Sequence, residues 1–194
     1  MYSSSRISFR PVEKGDLEEL RSLRNDMSTQ LQLGSVGMES EQSQVSWWER
    51  GLLSEKQQRY TLLRSDTGEI VGMARILNID HMNANCEIGL DIVPRLRGKG
   101  LGYQSYLCLL EYLFLQKNMN MVYLKVIKFN TAAQKLYQKI GFEKTGFLKN
   151  YIFRFGKYWD YEIMCLERSV FSKGKKPYLP FSSRRRSSVK PKLS

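Results

Sequence analysis

The chain has 194 residues, of which 42% are hydrophobic, and a formal net charge of +12. That length suits one domain with a core of its own, since domains of roughly 100–200 residues bury about two-thirds of the surface their unfolded chains expose. A single histidine, His81, and three cysteines without a CxxC pair leave almost no room for a histidine triad, a metal site or a disulfide framework, so no metal is expected. No apolar run approaches the ~18 residues that cross a bilayer. Met1 to Arg10 lacks the apolar stretch of a secretory signal. The expectation is a cytoplasmic protein with no membrane span.

Alternation from Arg6 to Val12 predicts a first strand. Asp16 is placed to cap a helix whose stripe is Leu17, Leu20, Leu23 and Met27. Residues 28–40 are polar and read as a loop. Ser40 then opens a second helix with Val45, Trp48 and Leu52 at helical spacing. Arg59–Arg64 and Glu69–Leu77 form a hairpin around Asp66-Thr67-Gly68, and Ala84–Val93 is a further strand closed by Pro94. The longest helical segment runs from Gly98–Gly102 to Lys117, with Tyr106, Leu109, Leu110, Leu113 and Phe114 on its apolar face. Met121–Ile127 is a strand, Asn130–Ile140 a helix stopped by Gly141, and Phe142–Arg154 and Tyr158–Leu166 are two final strands. This mixture predicts an α/β (α+β) sandwich around one sheet of about seven strands with four helices.

Eight of the net positive charges fall on residues 173–194, which contain no acid. We therefore expect a domain over 1–170 and a basic, Ser/Pro-rich, disordered tail over 171–194. Such a tail could contact RNA or the ribosome nonspecifically through phosphates, carry a phosphosite at Ser187 or Ser188, or simply be solvated.

The chemistry concentrates in Arg97-Gly98-Lys99-Gly100-Leu101-Gly102, between a strand and a helix. The first N–H groups of a helix have no intrahelical partner, and the helix dipole adds partial positive charge there. Glycines let that turn curl close to a ligand, which makes it a candidate pyrophosphate cradle. A purely geometric turn is the plain alternative. A P-loop is ruled out because no Gly-Lys-Ser/Thr follows at the required spacing.

The hexamer resembles the R/Q-x-x-G-x-G/A signature of GNAT acetyltransferases. Asn130-Thr131-Ala132-Ala133-Gln134-Lys135-Leu136-Tyr137-Gln138-Lys139-Ile140-Gly141-Phe142 is similar to the family's N-x-x-A-x-x-L-Y-x-K-x-G-F helix. The stretch from Gly156 to Met164 resembles the ending found in the branch of ribosomal-protein, spermidine and amino-sugar N-acetyltransferases. The resemblance covers residues 6–168 and implies a mostly antiparallel GNAT sheet, splayed between the strand ending at Ile92 and Val93 and the strand starting at Met121. It also implies acetyl-CoA as co-substrate, held by Ile92 and Val93 at the splayed strand, by Arg97, Gly98, Lys99, Gly100, Leu101 and Gly102, and by Asn130. Tyr137 would protonate the leaving thiolate, and a backbone N–H near Val93 would polarise the acetyl carbonyl. The alternative for Tyr137 is an aromatic packed on the sheet.

Glu87 shares a strand face with Gly89 and Asp91. It could act as base, bind the acceptor ammonium, or be a solvated edge carboxylate. Trp47, Tyr158, Asp160 and the Arg24-Asn25-Asp26 run are weaker candidates for the acceptor side. The acceptor implied is a primary amine on a small molecule or a protein N-terminus, drawn from protein N-termini, amino sugars and polyamines. The mildly basic body counts against a polyamine. A homodimer is compatible with the family. A non-catalytic module that associates with RNA or ribosomes through the tail is the reading from another class; the intact cradle glycines, Asn130 and Tyr137 speak against it.

Overall fold

One sheet of eight strands, in the order β1-β2-β3-β4-β5-β6-β8-β7, organises the chain. The computed structural model describes residues 1–4, 6–52 and 54–173. The strands are β1 (Tyr2–Ser3), β2 (Ile7–Pro11), β3 (Gln58–Arg64), β4 (Ile70–Asp80), β5 (Asn85–Ile92), β6 (Met121–Ile127), β7 (Glu143–Arg154) and β8 (Lys157–Glu167). The helices are α1 (Leu17–Asn25), α2 (Met27–Gln30), α3 (Glu41–Leu52), α4 (Leu101–Glu111), α5 (Thr131–Ile140) and α6 (Arg168–Lys173). Seven strands fall where the alternation placed them. The eighth, β1, is two residues long and adds to β2 through Tyr2 and Phe9, too short to show a period. Every neighbouring pair is antiparallel except β5 with β6. Among the described residues no helix is long and apolar enough to cross a membrane. Of the tail expected over 171–194, residues 171–173 complete α6, with Phe171 buried in the core, and the remainder lies outside the described residues.

The larger core joins α4, through Tyr106, Leu109 and Leu110, and the π-helical turn Tyr112–Gln116 that continues it, through Leu113, to sheet residues such as Phe9, Leu62, Ile76 and Val122; α5 packs on it through Leu136, Tyr137 and Ile140. The smaller core joins Val12, Leu17, Leu20 and Met73, with Trp47 and Trp48 of α3 packed against it. Neighbours on β4 divide between the two, Met73 to the smaller and Ala74 to the larger, as alternation on a strand requires. Cys86 and Cys108 are buried, and burial pushes their thiols up to about 12 and about 11.

Three sequence expectations change. The stripe from Leu17 to Met27 is interrupted after Asn25, because Asp26 accepts from the Thr29 N–H at 2.9 Å and starts α2; Met27 ends 58% exposed. Leu52 is likewise exposed at the end of α3. Asp16 stands at the start of α1 but does not cap it. Its carboxylate instead takes Arg10 Nη1 at 2.7 Å, Arg10 Nη2 at 2.8 Å, Thr61 Oγ1 at 2.6 Å and the Glu13 N–H at 2.9 Å. A charge that finds a guanidinium and a buried hydroxyl gains more than one helix-end amide offers. The network ties β2, β3 and the start of α1 together.

β4 and β5 approach closely at Gly72. The β3–β4 register shifts by one residue between Leu62 and Leu63, and a Cβ on Gly72 would stand 1.9 Å from the Asp91 carbonyl oxygen. Any side chain there displaces β5, so Gly72→Ala is expected to destabilise the fold by about 1–3 kcal/mol in urea denaturation. Asp16→Asn should cost about 3 kcal/mol at neutral pH, because Arg10 keeps its charge beside an uncharged partner. Burial raises the Asp16 pKa, but the bonds from Arg10 and Thr61 outweigh it and leave it lowered. Its contribution is therefore complete above the ordinary carboxylate value and is lost as pH falls through the lowered one. The gap between wild type and Asp16→Asn should hold from neutrality to mild acid and close only below that; denaturation across pH measures it.

Candidate active site

β5 and β6 lie side by side only where Asn85–Glu87 face Met121–Tyr123. Beyond that, β5 keeps its ladder to β4 and β6 its ladder to β8. Their facing edges separate, and the opening is a cleft of about 880 Å³. Its walls come from the end of α1, α2, the loop after it, β5, the turn before α4, and α5.

The turn before α4 has the geometry a phosphate needs. Gly98 and Gly100 have φ of 73° and 77°, the left-handed region that any side chain resists, and Gly100 occupies the cap position of α4. The Gln104 N–H donates to the Gly100 carbonyl, so the amides ahead of it precede the first intrahelical bond. Asn130 caps α5 by accepting from the Ala133 N–H at 3.1 Å, which leaves its amide nitrogen toward the cleft it lines as a donor for a ligand.

Of the residues expected to hold the cofactor, Ile92, Arg97, Gly98, Gly100, Gly102 and Asn130 line the cleft. Val93 and Leu101 bury their side chains in the core, and Lys99 is exposed outside the cleft wall. The Val93 N–H already donates to the Val71 carbonyl at 2.9 Å, so an amide expected near Val93 to polarise an acetyl group has to be a neighbour's. Arg97 is more than a charge at the mouth. It donates to the Ile92 carbonyl at 2.9 Å, to Ser28 Oγ at 2.7 Å and to Thr29 Oγ1, strapping the cradle to α2.

Tyr137 projects from α5 into the cleft, and the Tyr106 hydroxyl donates to its oxygen at 3.2 Å; the rings meet edge to face at 5.3 Å. Burial raises the Tyr137 pKa, which keeps the phenol protonated. Beside them Arg75 Nη1 bonds Asp91 Oδ2 at 2.7 Å. Burial works against the Arg75 charge, but Asp91 outweighs it and the pKa rises. Glu87 is engaged rather than free: Lys125 Nζ lies 2.8 Å from its carboxylate and Asn78 Nδ2 3.0 Å. Burial lowers the Lys125 pKa, yet the bond from Glu87 wins and raises it. The cleft thus holds two ion pairs and a tyrosine pair.

Some residues were not foreseen. Tyr106 was read as one member of an apolar stripe, and its hydroxyl was the available signal. Arg75 follows from the β4–β5 register, which sets it opposite Gly89, where a Cβ would lie 3.0 Å from its guanidinium. Tyr161 lines the cleft, not its neighbours: Asp160 holds Lys128 and the Asn150 N–H, and Tyr158 is 63% exposed. Arg24 lines the cleft, whereas Asn25 holds the Glu39 backbone through 2.7 and 2.9 Å bonds. Trp47 is not on the cleft wall.

A family model described as an acetyltransferase (GNAT) domain matches residues 9–163. The chain is 26% identical over 166 residues to spermidine N(1)-acetyltransferase of Escherichia coli K12, covering 86% of this chain and 88% of that protein. It is 24% identical over 117 residues to the E. coli [ribosomal protein uS5]-alanine N-acetyltransferase, 60% of each. The fold is similar to the crystal structure of Vibrio cholerae spermidine N-acetyltransferase in complex with CoA and spermine, with a TM-score of 0.82 over 87% of this chain and 99% of that one, at 24% identity. A splayed sheet with a left-handed glycine turn at its mouth, matched over most of its length by one domain model, makes this chain a member of the GNAT acetyltransferases, an acetyl-CoA-dependent N-acetyltransferase.

Proposed function

We propose that the chain transfers the acetyl group of acetyl-CoA to a primary amine by direct attack, with Tyr137 as the acid that protonates the departing thiolate. The Tyr106–Tyr137 pair at the cleft floor carries this reading. Tyr106 donates to the Tyr137 oxygen, so the Tyr137 proton is left to point elsewhere, and the open direction is the cleft. A phenol of ordinary pKa about 10 stands close to a thiol's about 8.5 and is un-ionised at neutrality. The amides of Gly98 to Gly102 would receive the pyrophosphate. Val93 directs its N–H to β4, so alternation along β5 turns the Ile92 amide into the gap, and this N–H is suited to polarise the acetyl carbonyl.

Charge narrows the acceptor. The carboxylates lining the cleft, Glu87 and Asp91, are already paired with Lys125 and Arg75. Arg24, Arg97 and Lys139 add positive charge with no carboxylate within ion-pair reach among the described residues. A polycation finds no unpaired acid on these walls, which supports an amino sugar or a protein N-terminus over spermidine, the substrate in the names of several relatives. Spermidine should then show kcat/KM at least about tenfold below an amino sugar or an alanyl peptide in a thiol-release assay.

Tyr137→Phe should lower kcat about 10²-fold or more while the CoA dissociation constant, read by calorimetry, stays within about twofold. An unchanged kcat would remove Tyr137 from the chemistry. Gly100→Ala should show the opposite split, since a side chain at φ of 77° strains the cradle by about 1–2 kcal/mol. Weaker CoA binding by about tenfold with kcat largely retained, and a melting temperature lower by only about 2–6 °C, is the expected outcome.

A further inference from the structure

A second cavity of about 300 Å³ lies between α3 and β3 and shares no lining residue with the catalytic cleft. Trp47, Trp48 and Val12 form apolar walls, and Arg59 and Gln57 supply the polar ones. Arg59 is held in place from three sides. Its guanidinium carbon stands 4.6 Å from the Trp47 ring centroid. Its Nη2 donates to Gln57 Oε1 at 2.9 Å. Its Nη1 fills the space above Gly51, where a Cβ would lie 2.4 Å away. Trp48 is fixed as well, donating through Nε1 to the Val12 carbonyl at 2.9 Å.

The unusual feature is the charge balance. Arg59 is half-buried, and among the described residues no carboxylate lies within ion-pair reach of it. The charges that act on it are of its own sign: Arg75, directly opposite on β4, and Arg50 on α3. Burial first, then these two arginines, lower its pKa. A guanidinium carries five donors, and Gln57 engages one. Packed against an indole and half withdrawn from water, such a group favours an anion with planar, bidentate acceptors. A single guanidinium balances one negative charge, and the remaining walls are aromatic. The volume sits at the lower end of small-molecule sites, which suits a body the size of one ring.

We propose that this cavity is a second ligand site, taking a small monocarboxylate on an apolar or aromatic body, with the carboxylate on Arg59 and the body along Trp47 and Trp48. The site stands independently of the acetyl-transfer reading, because it uses none of the residues on which that reading rests. Two of the three tryptophans in the chain line it, so ligand entry is visible in tryptophan emission.

The test is a titration of the full chain with benzoate, its uncharged isostere benzamide, and inorganic phosphate, each with and without saturating CoA. Saturable quenching by benzoate that is indifferent to CoA is expected, with benzamide and phosphate each weaker by at least about tenfold. Arg59→Gln should weaken benzoate by at least about tenfold, and Trp47→Phe should reduce the quenching. Should Arg59→Gln melt early, Arg59→Lys keeps the charge without the planar fork and should still lose most of the affinity. Equal binding by benzamide, undiminished binding in both Arg59 variants, or competition by CoA would overturn the proposal. So would stronger binding of phosphate than of benzoate.

Discussion

Two adjacent strands that stop sharing hydrogen bonds halfway along their length set the terms for this molecule. A strand edge inside a protein must satisfy its N–H and C=O groups somewhere. β5 and β6 each solve half of the problem on their outer sides, β5 with β4 and β6 with β8, and leave the inner halves open beyond Glu87 and Tyr123. An extended polar chain such as the pantetheine arm can complete those inner halves as an added strand does. The close approach at Gly72 belongs to the same arrangement, because it presses β4 against β5 at Asp91 and Ile92, in the part of β5 that has already left β6.

Electrostatics organise the cleft around groups that stay neutral and groups that cancel. Tyr137 and Tyr106 are both pushed toward the protonated phenol, chiefly by burial. The formal charges on the β strands come as pairs, Arg75 with Asp91 and Glu87 with Lys125. Glu87 accepts from the Lys125 ammonium at 2.8 Å and from Asn78, and Asp91 from Arg75, so each carboxylate on the cleft wall has a cationic partner of its own.

Much of this was legible in the sequence, for physical reasons that differ by element. The glycine turn announced itself because left-handed backbone and close ligand approach both restrict the residue type, and Gly98 and Gly100 satisfy that restriction locally. The α5 boundaries were readable because Asn130 and Gly141 are the cap types that helix ends favour. Asp16 misled for the converse reason. A capping role can be read within four residues, whereas its partners include Arg10 on the preceding strand and Thr61, 45 residues away. Arg75 and Tyr161 depend on register and strand parity, and a slip of one residue would turn each to the other face. The exposed Met27 reflects a cap at Asp26 that competes with the helical stripe. Local rules thus yielded the cradle and the helix ends, and long-range pairing supplied the charged interior.

Arg97 has a mechanical meaning beyond its charge. It is rooted beside the cradle through the Ile92 carbonyl and reaches Ser28 and Thr29 on α2, the element that leads into the Gln32–Ser35 part of the opposite cleft wall. One side chain therefore acts as a tie rod between two halves of the cleft wall. A molecule seated on either half restricts the same rod. Any coupling that such a rod carries between the two halves is reciprocal: what one side does to the affinity of the other is returned by the same factor.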